Sequence, residues 1–356
     1  MNERKTILTC LAAMLAIFMV PCAVVEAQDL SSFNRTTSPL TSGQTQQLNT
    51  FIESNVADLA SDTPEKVVAA RKNLIAPLLR VGTSNVFREA FGKTFITKTE
   101  SMMKDVEGTR IFNLANALQV LAFIRTGQTN EMIARLLADT RGDESQVDAN
   151  AKANAKADAR RNAAASMLVV SLKTTSPEMI RPRQYNAIMR SILTAVNDAG
   201  RWSVLQREFE AMSAIAENRK IPEDIRKRAF ENEAEILKST LERMSETSQG
   251  ELSRAVAPMV LILRSQFIGL TGSMRQTFQS VISPSLELVV QSAEKNWQAI
   301  QNDEGIKKSY TIALQQSIVL HQLTTGATNQ NMEKMVTAWK SSDRKGFQSS
   351  AADWLN

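Results

Sequence analysis

The spacing of apolar residues in this sequence is that of α-helices along most of its length. In residues 62–82, for example, Val67, Ala70, Leu74 and Leu78 recur every three or four positions and so fall on one helix face. The chain is rich in Ala, Leu and Met, and it lacks sustained runs in which β-branched residues alternate with polar ones. Together these features predict an all-α protein.

Residues 111–138 give the clearest helical pair. Residues 111–124 are apolar around most of a helical circumference, which predicts a buried helix centred near Leu118. A short polar connector leads into a second apolar segment, residues 131–138. Because only a few residues join them, we expect the two helices to pack as an antiparallel hairpin.

The N-terminus has the three parts of a secretory signal peptide. Arg4 and Lys5 precede an apolar segment, residues 7–20, and Val25 and Ala27 place a β-branched and a small side chain at positions −3 and −1 of a cleavage site. The apolar segment is shorter than the roughly 20 residues that a membrane span needs. We therefore predict a signal peptide over 1–27 and a periplasmic or secreted product, with an uncleaved N-terminal anchor as the alternative.

Removal of this peptide would leave a chain without cysteine, since Cys10 and Cys22 both lie within it. Disulfides, thiolate nucleophiles and cysteine metal sites would then be excluded. The net charge is +5 and the charges are mixed along the chain, whereas nucleic-acid binding favours concentrated Lys and Arg. The remaining apolar runs are too interrupted to predict a stable membrane span after processing.

Changes in composition divide the rest of the chain. Residues 28–45 are rich in Ser and Thr and predict a flexible tether. Residues 46–245 form the main helical array, in which the alternating Ala residues of 140–158 leave no apolar face and indicate an insertion. Residues 251–356 predict a further helical region, either a cap of the same array or a separate bundle.

Three helix openings share a pattern. Residues 62–74 read Asp-x-Pro-x-x-Val-x-x-Ala-x-x-x-Leu, residues 158–164 read Asp-Ala-Arg-Arg-Asn-Ala-Ala, and residues 222–229 read Pro-Glu-Asp-Ile-Arg-Lys-Arg-Ala. The pattern resembles the second helix of HEAT repeats, although Val68 stands where that family has Arg and the second copy lacks Pro. The resemblance covers residues 46–245 and implies a HEAT-like α-solenoid of stacked antiparallel helix pairs.

No residue pattern in the chain indicates catalysis, a cofactor or a metal. The single His321 lies among apolar residues without a nucleophile motif and is interpreted as a partly buried core histidine. Glu231 and Glu235 lie one turn apart, but Lys227 and Lys238 flank them, which favours a solvated, salt-bridged face. The basic clusters at 181–183 and 226–228 are interpreted as surface charges at helix starts. We therefore assign no catalytic, cofactor-binding or metal-binding residue.

These observations favour an exported, non-enzymatic helical-repeat scaffold that binds another envelope or secreted protein. Stacked helix pairs present an extended surface suited to protein recognition. Two alternatives stay open. One is an envelope enzyme that acts on cell-wall glycan through paired carboxylates, and the other is a purely structural envelope component.

Overall fold

The computed structural model describes residues 30–105, 109–138, 150–199, 201–246, 250–326 and 330–355. These residues form fifteen α-helices and three short 3-10 helices, and no β-strand occurs among them, which confirms the all-α prediction. The α-helices are α1 Ser42–Leu59, α2 Pro64–Leu79, α3 Asn85–Lys104, α4 Ile111–Ile124, α5 Gly127–Ala138, α6 Asn150–Thr174, α7 Pro182–Asp198, α8 Trp202–Glu217, α9 Glu223–Glu246, α10 Ser253–Ile268, α11 Gly272–Lys295, α12 Trp297–Gln301, α13 Glu304–Thr325, α14 Gln330–Lys340 and α15 Arg344–Leu355.

Local capping chemistry sets several helix ends. Thr41 and Gln44 form a capping box at the start of α1. The Ser84 hydroxyl accepts a hydrogen bond from the Phe87 amide at 3.1 Å and so begins α3. Gly326 ends α13 with a φ of 73°, a left-handed conformation that glycine adopts without steric cost.

The helices contact one another in two series, each built from alternate helices. In the first series α1, α3, α5, α7, α9 and α11 follow one another, each contacting the next. In the second series α2, α4, α6, α8, α10 and α13 do the same. Each first-series helix also contacts the second-series helix that follows it, so the fold consists of helix pairs whose interactions are mostly with neighbouring pairs.

One hydrophobic core runs through both series from Leu30 to Ala351. The helix α4 lies deep within it, and Leu118 is fully buried as its apolar circumference predicts. Helix α8 is also enclosed, since all six residues of 211–216 are buried between the neighbouring helices. The core continues from α8 and α9 into α10 and α11, so no break in packing marks the predicted division near residue 250.

Aromatic clusters occupy the two ends of the chain's core. At the N-terminal end, Phe33 and Phe91 both pack against Phe87, with ring centroids 5.9 and 5.8 Å from that ring. At the C-terminal end, Trp339 contacts Trp297 edge-on at 5.0 Å, and the rings of Tyr310 and Phe347 complete the cluster. Both end helices of the C-terminal region, α14 and α15, thereby join the main core.

The predicted tether differs from the structure in its described part. Leu30 and Phe33 are buried, and the backbone oxygen of Asn34 accepts a hydrogen bond from the Ser84 amide at 2.9 Å. Helix α1 then begins at Ser42, within the range assigned to the tether. One reason is that Phe33, an apolar side chain in this polar stretch, packs against Phe87, which lies more than fifty residues away in the sequence.

The predicted insertion falls partly outside the described residues, which exclude 139–149. Its second part, residues 150–158, belongs to α6 and leads directly into the buried segment that contains Leu168. Alanine has the highest helix propensity of all residues, so this segment can extend a buried helix without an apolar face of its own.

Candidate functional site

Exposed large apolar side chains are confined to one part of the fold. Among the described residues, every such side chain lies on a second-series helix or directly after α2, and the first series has none. The most exposed on a helix is Ile268, at 68%, and Phe112 is 45% exposed. The full set, called here the exposed apolar set, comprises Leu79, Val81, Phe112, Val170, Leu261, Ile268, Ile312 and Leu323.

Two helices of the second series each carry two of these side chains on one face. Leu261 and Ile268 are two turns apart on α10, and Ile312 and Leu323 are three turns apart on α13. Residues at these spacings share a helix face, and the opposite face of each helix is already used by the core. The second series therefore has an inner apolar face and, in addition, apolar side chains exposed to solvent.

Matching polar contacts join second-series helices near both ends of the array. The Arg71 guanidinium on α2 donates to the Gln119 side-chain oxygen on α4 at 2.6 Å. The Arg264 guanidinium on α10 makes the same contact with Gln316 on α13, also at 2.6 Å. Partial burial lowers the pKa of Arg71, but an arginine stays charged at any physiological pH. These bonds hold neighbouring helices in register beside the exposed apolar set.

The first series exposes several charged pairs. The Glu223–Lys227 and Asp224–Arg228 pairs, which the sequence predicts from their spacing, form on α9 at 2.9 and 2.6 Å. Glu231 is exposed on the same helix. Further pairs on first-series helices are Lys98–Glu53, Lys104–Glu100, Arg135–Glu131 and Lys238–Glu242. Ion pairs also occur on second-series helices, such as Arg207–Glu210 on α8, so the two series differ in their exposed apolar side chains and not in their charged pairs.

A small polar cavity of about 230 Å³ lies where α8 and α10 end and α9 begins. Glu217, Arg219, Arg226 and Gln266 contribute its polar lining. Arg226 is only 9% exposed, and its Nε donates to the Ala216 carbonyl oxygen at 2.9 Å. The sequence-based interpretation of Arg226 as a surface charge is therefore wrong for this residue, because helices α8 and α10 enclose it.

Glu233 lies next to this cavity but is fully buried. Its Oε1 accepts hydrogen bonds from the Ser213 hydroxyl at 2.5 Å and from the Gln266 amide at 2.7 Å. Burial raises the pKa of the Glu233 carboxyl to about 8, although these two hydrogen bonds act in the opposite direction. The group is consequently protonated at neutral pH.

The spacing of apolar residues along α9 indicates that Glu233 is buried. One face of α9 carries a residue at every fourth position, and three of these are buried apolar residues: Ile225, Ala229 and Leu237. Glu233 is the fourth residue of this face and lies between Ala229 and Leu237. A carboxyl at a core position of an amphipathic helix predicts a buried, hydrogen-bonded group. Its partners, Ser213 and Gln266, come from α8 and α10, and nothing in the local sequence identifies them.

The remaining sequence candidates lie apart from the cavity. His321 is half-buried on α13, where burial lowers the pKa of its imidazole and the nearby Glu287 carboxylate raises it by less. Arg181 and Arg183 are exposed at the start of α7. Within the described part of the chain, no cluster of three or more His, Cys, Asp or Glu side chains has the geometry to hold a metal ion.

A second, wider hollow of about 690 Å³ lies between α14 and α15. Its lining includes two carboxylates, Glu333 and Asp343, together with Ser, Thr, Ala, Gly and Lys side chains. One oxygen of Asp343 accepts a hydrogen bond from the Gly346 amide at 3.0 Å, which makes Asp343 a capping residue for α15.

In the described ranges, no helix combines the length and the hydropathy that crossing a membrane requires. Comparison with known proteins gives no relative: no protein-family model, no curated protein and no solved structure matches this chain.

Proposed function

We propose that this protein is an exported, non-enzymatic scaffold that binds another envelope or secreted protein through the exposed apolar set of its second helix series. The single observation that carries the proposal is the uneven distribution of exposed apolar side chains. Apolar side chains that recur on several successive helices of one series are typical of protein-binding surfaces, whereas single exposed apolar residues are ordinary.

The arrangement of the helices supports a HEAT-like α-solenoid as the basis of this surface. Each helix from α1 to α9 contacts the helix two positions further along. Second-series helices begin roughly 40 to 50 residues apart, close to the period of about 40 to 47 residues in HEAT and armadillo repeats. Two of the three HEAT-like openings precede or lie within α2 and α6, which are both second-series helices. The third opens α9, a first-series helix, so the proposal rests on the contacts rather than on that motif.

A triple variant tests the binding surface. Phe112→Asp, Leu261→Asp and Ile312→Asp together place three carboxylates in the exposed apolar set on α4, α10 and α13. The three side chains are already partly solvated, so the fold should survive, as judged by circular dichroism. Affinity capture from the native envelope fraction should recover a defined partner with the unmodified protein and lose it with the variant.

The matched control adds the same charge to the first series. Thr97→Asp, Thr194→Asp and Gln291→Asp change exposed residues on α3, α7 and α11. Capture of the partner should persist with this control. A partner that is lost with the control and retained by the first variant would overturn the assignment of the binding surface.

Export is the second part of the proposal, and intact mass tests it. Protein recovered from the envelope should lack residues 1–27, because the N-terminal segment has the layout of a cleaved signal peptide. A mass that retains those residues would instead support the N-terminal anchor.

The alternative of a glycan-hydrolysing enzyme has less support. The wider hollow between α14 and α15 contains two carboxylates, but its lining includes no aromatic side chain for stacking against a sugar. In the smaller cavity, Glu217 contributes to the lining, whereas Glu233 is fully buried and does not. Cell-wall glycan cleavage that disappears in Glu333→Gln would favour this alternative over the scaffold.

A further inference from the structure

The small cavity between α8, α9 and α10 contains a buried cation that the protein leaves largely without hydrogen-bond partners. Arg226 is 9% exposed, and among the described residues only its Nε has an acceptor, the Ala216 carbonyl oxygen. The two terminal nitrogens of its guanidinium thus retain hydrogen atoms available for donation beside the cavity. Neither terminal nitrogen is sealed from solvent, so both are open to a ligand that enters the cavity and accepts hydrogen bonds from them.

A second guanidinium lies close to the first. Arg219 donates to the Gly269 carbonyl oxygen at 2.8 Å, which anchors it at the end of α10. Burial lowers the pKa of Arg226 and the positive charge of Arg219 lowers it further, whereas the Glu223 carboxylate raises it. Two arginines held side by side at fixed backbone carbonyls are well placed to bind a planar oxyanion, and a carboxylate matches the guanidinium fork in shape.

Acceptors also contribute to the cavity lining. Glu217 is exposed at the cavity, and partial desolvation raises the pKa of its carboxyl, whereas the Lys173 charge and a hydrogen bond with the Gln266 side chain lower it. Gln266 is 6% exposed, its amide nitrogen donates to Glu233, and its Oε1 has no hydrogen-bond partner among the described residues. A ligand that satisfies this lining must therefore donate hydrogen bonds as well as accept them.

We propose that this cavity binds a small α-substituted carboxylate, that is, an α-hydroxy or α-amino acid. The carboxylate of the ligand pairs with the guanidinium groups of Arg226 and Arg219. An α-ammonium group donates both to Glu217 and to the Oε1 of Gln266, whereas an α-hydroxyl, with its single hydrogen, donates to one of them. A volume of about 230 Å³ suits a ligand of this size.

Isothermal titration calorimetry on the whole protein tests the proposal with four probes. L-lactate, L-alanine and propionate share one carbon skeleton and differ in the α-substituent, and inorganic phosphate supplies an oxyanion of different shape. Lactate or alanine should bind at least about tenfold more tightly than propionate, because propionate lacks the donor for Glu217 and Gln266. Equal binding of the three carboxylates, tighter binding of phosphate, or no binding by any probe would overturn the proposal.

Variants connect the binding to the cavity. Arg219→Gln and Glu217→Gln change exposed side chains and should leave the fold intact, and each should weaken binding of the favoured probe by about tenfold or more. Arg228→Gln is the control, since Arg228 lies on α9 with Arg226 but pairs with Asp224 instead of lining the cavity. Binding that both cavity variants retain in full would show that the probe binds elsewhere. None of these residues belongs to the exposed apolar set, so failure here leaves the proposed protein-binding surface untouched.

Discussion

At the scale of single residues, Glu233 is the most unusual group in the fold. It is a fully buried carboxyl at the junction of three helices, with two donors to one of its oxygens and none among the described residues to the other. Such a group is tolerated because it keeps its proton, which avoids the large cost of a buried charge. The pH range in which the proton is retained then contributes to the stability of the whole protein.

Glu233 should make the protein less stable as the pH rises from about 4.5 to about 8. Its pKa in the folded state is about 8, whereas a carboxyl in the unfolded chain titrates near 4.5. Below 4.5 both states are protonated and no stability is lost. Between the two pKa values only the unfolded state has lost this proton, so the free energy of unfolding falls by up to about 1.4 kcal/mol for each pH unit. Above about pH 8 the carboxyl is ionised in both states and the free energy of unfolding no longer falls.

Urea unfolding at pH 5 and pH 8.5 measures this effect. Glu233→Gln should reduce the difference between the two unfolding free energies, since glutamine has no proton to lose. Glu235→Gln, an exposed change on the same helix, serves as the control and should retain the wild-type difference. An unchanged pH dependence in Glu233→Gln would show that other groups are responsible.

At the scale of helices, the close approach of α5 to α7 at Gly127 shows how neighbouring helices of the first series pack. A Cβ atom at Gly127, the first residue of α5, would lie 2.1 Å from the Gln184 side-chain oxygen. That oxygen accepts a hydrogen bond from the Arg181 amide at 3.0 Å and thereby caps the start of α7. The small size of Gly127 thus permits the contact between α5 and α7.

Gly127→Ala should destabilise the protein by about 1 kcal/mol. The added methyl group displaces Gln184 and breaks the cap of α7, and losing a cap typically costs about that much. Gly43→Ala in the first turn of α1 is the matched control, because no atom lies within 4 Å of the added Cβ and the change should be neutral or slightly stabilising. Thermal unfolding of both variants provides the measurement, and equal melting temperatures would contradict the expectation.

The helices also show which features of the fold could be predicted from the sequence. Buried faces within a helix were predictable, and Val67, Ala70, Leu74 and Leu78 are all buried on α2 as their spacing indicates. Such faces depend only on local periodicity. The cavity was not predictable, because Arg226, Glu217 and Gln266 come from three helices, and their burial is created by contacts between residues up to about fifty positions apart. For the same reason, Phe33 could not be recognised as a core residue from its polar surroundings.

At the scale of the whole molecule, the helix series need closure at both ends. A stack of helix pairs leaves an apolar surface at each terminal pair unless another element covers it. Here Phe33 packs onto α3 at one end, and α14 and α15 bring Trp339 and Phe347 against Trp297 at the other. The Trp339 indole nitrogen also donates to the Thr311 hydroxyl at 2.9 Å, which ties α14 to α13.

Trp339→Ala should release the C-terminal closure. Removing this fully buried ring typically costs about 3–5 kcal/mol, and the loss should be concentrated in α14 and α15. Limited proteolysis followed by mass spectrometry should then detect early cleavage within residues 330–355. Trp202→Ala, which removes a half-buried indole from the start of α8, should not expose that region. First cleavage elsewhere in Trp339→Ala would show that α14 and α15 are held by other contacts.

The alternation of contacts within each helix series has a mechanical consequence. Tension applied between the two termini would be carried from one helix pair to the next, since most contacts join a pair to its immediate neighbours. Under an increasing load, pairs would separate one after another instead of the whole core yielding at once. Such a molecule extends by many small steps at moderate force, and it can shorten again by re-stacking the released pairs against those that remain.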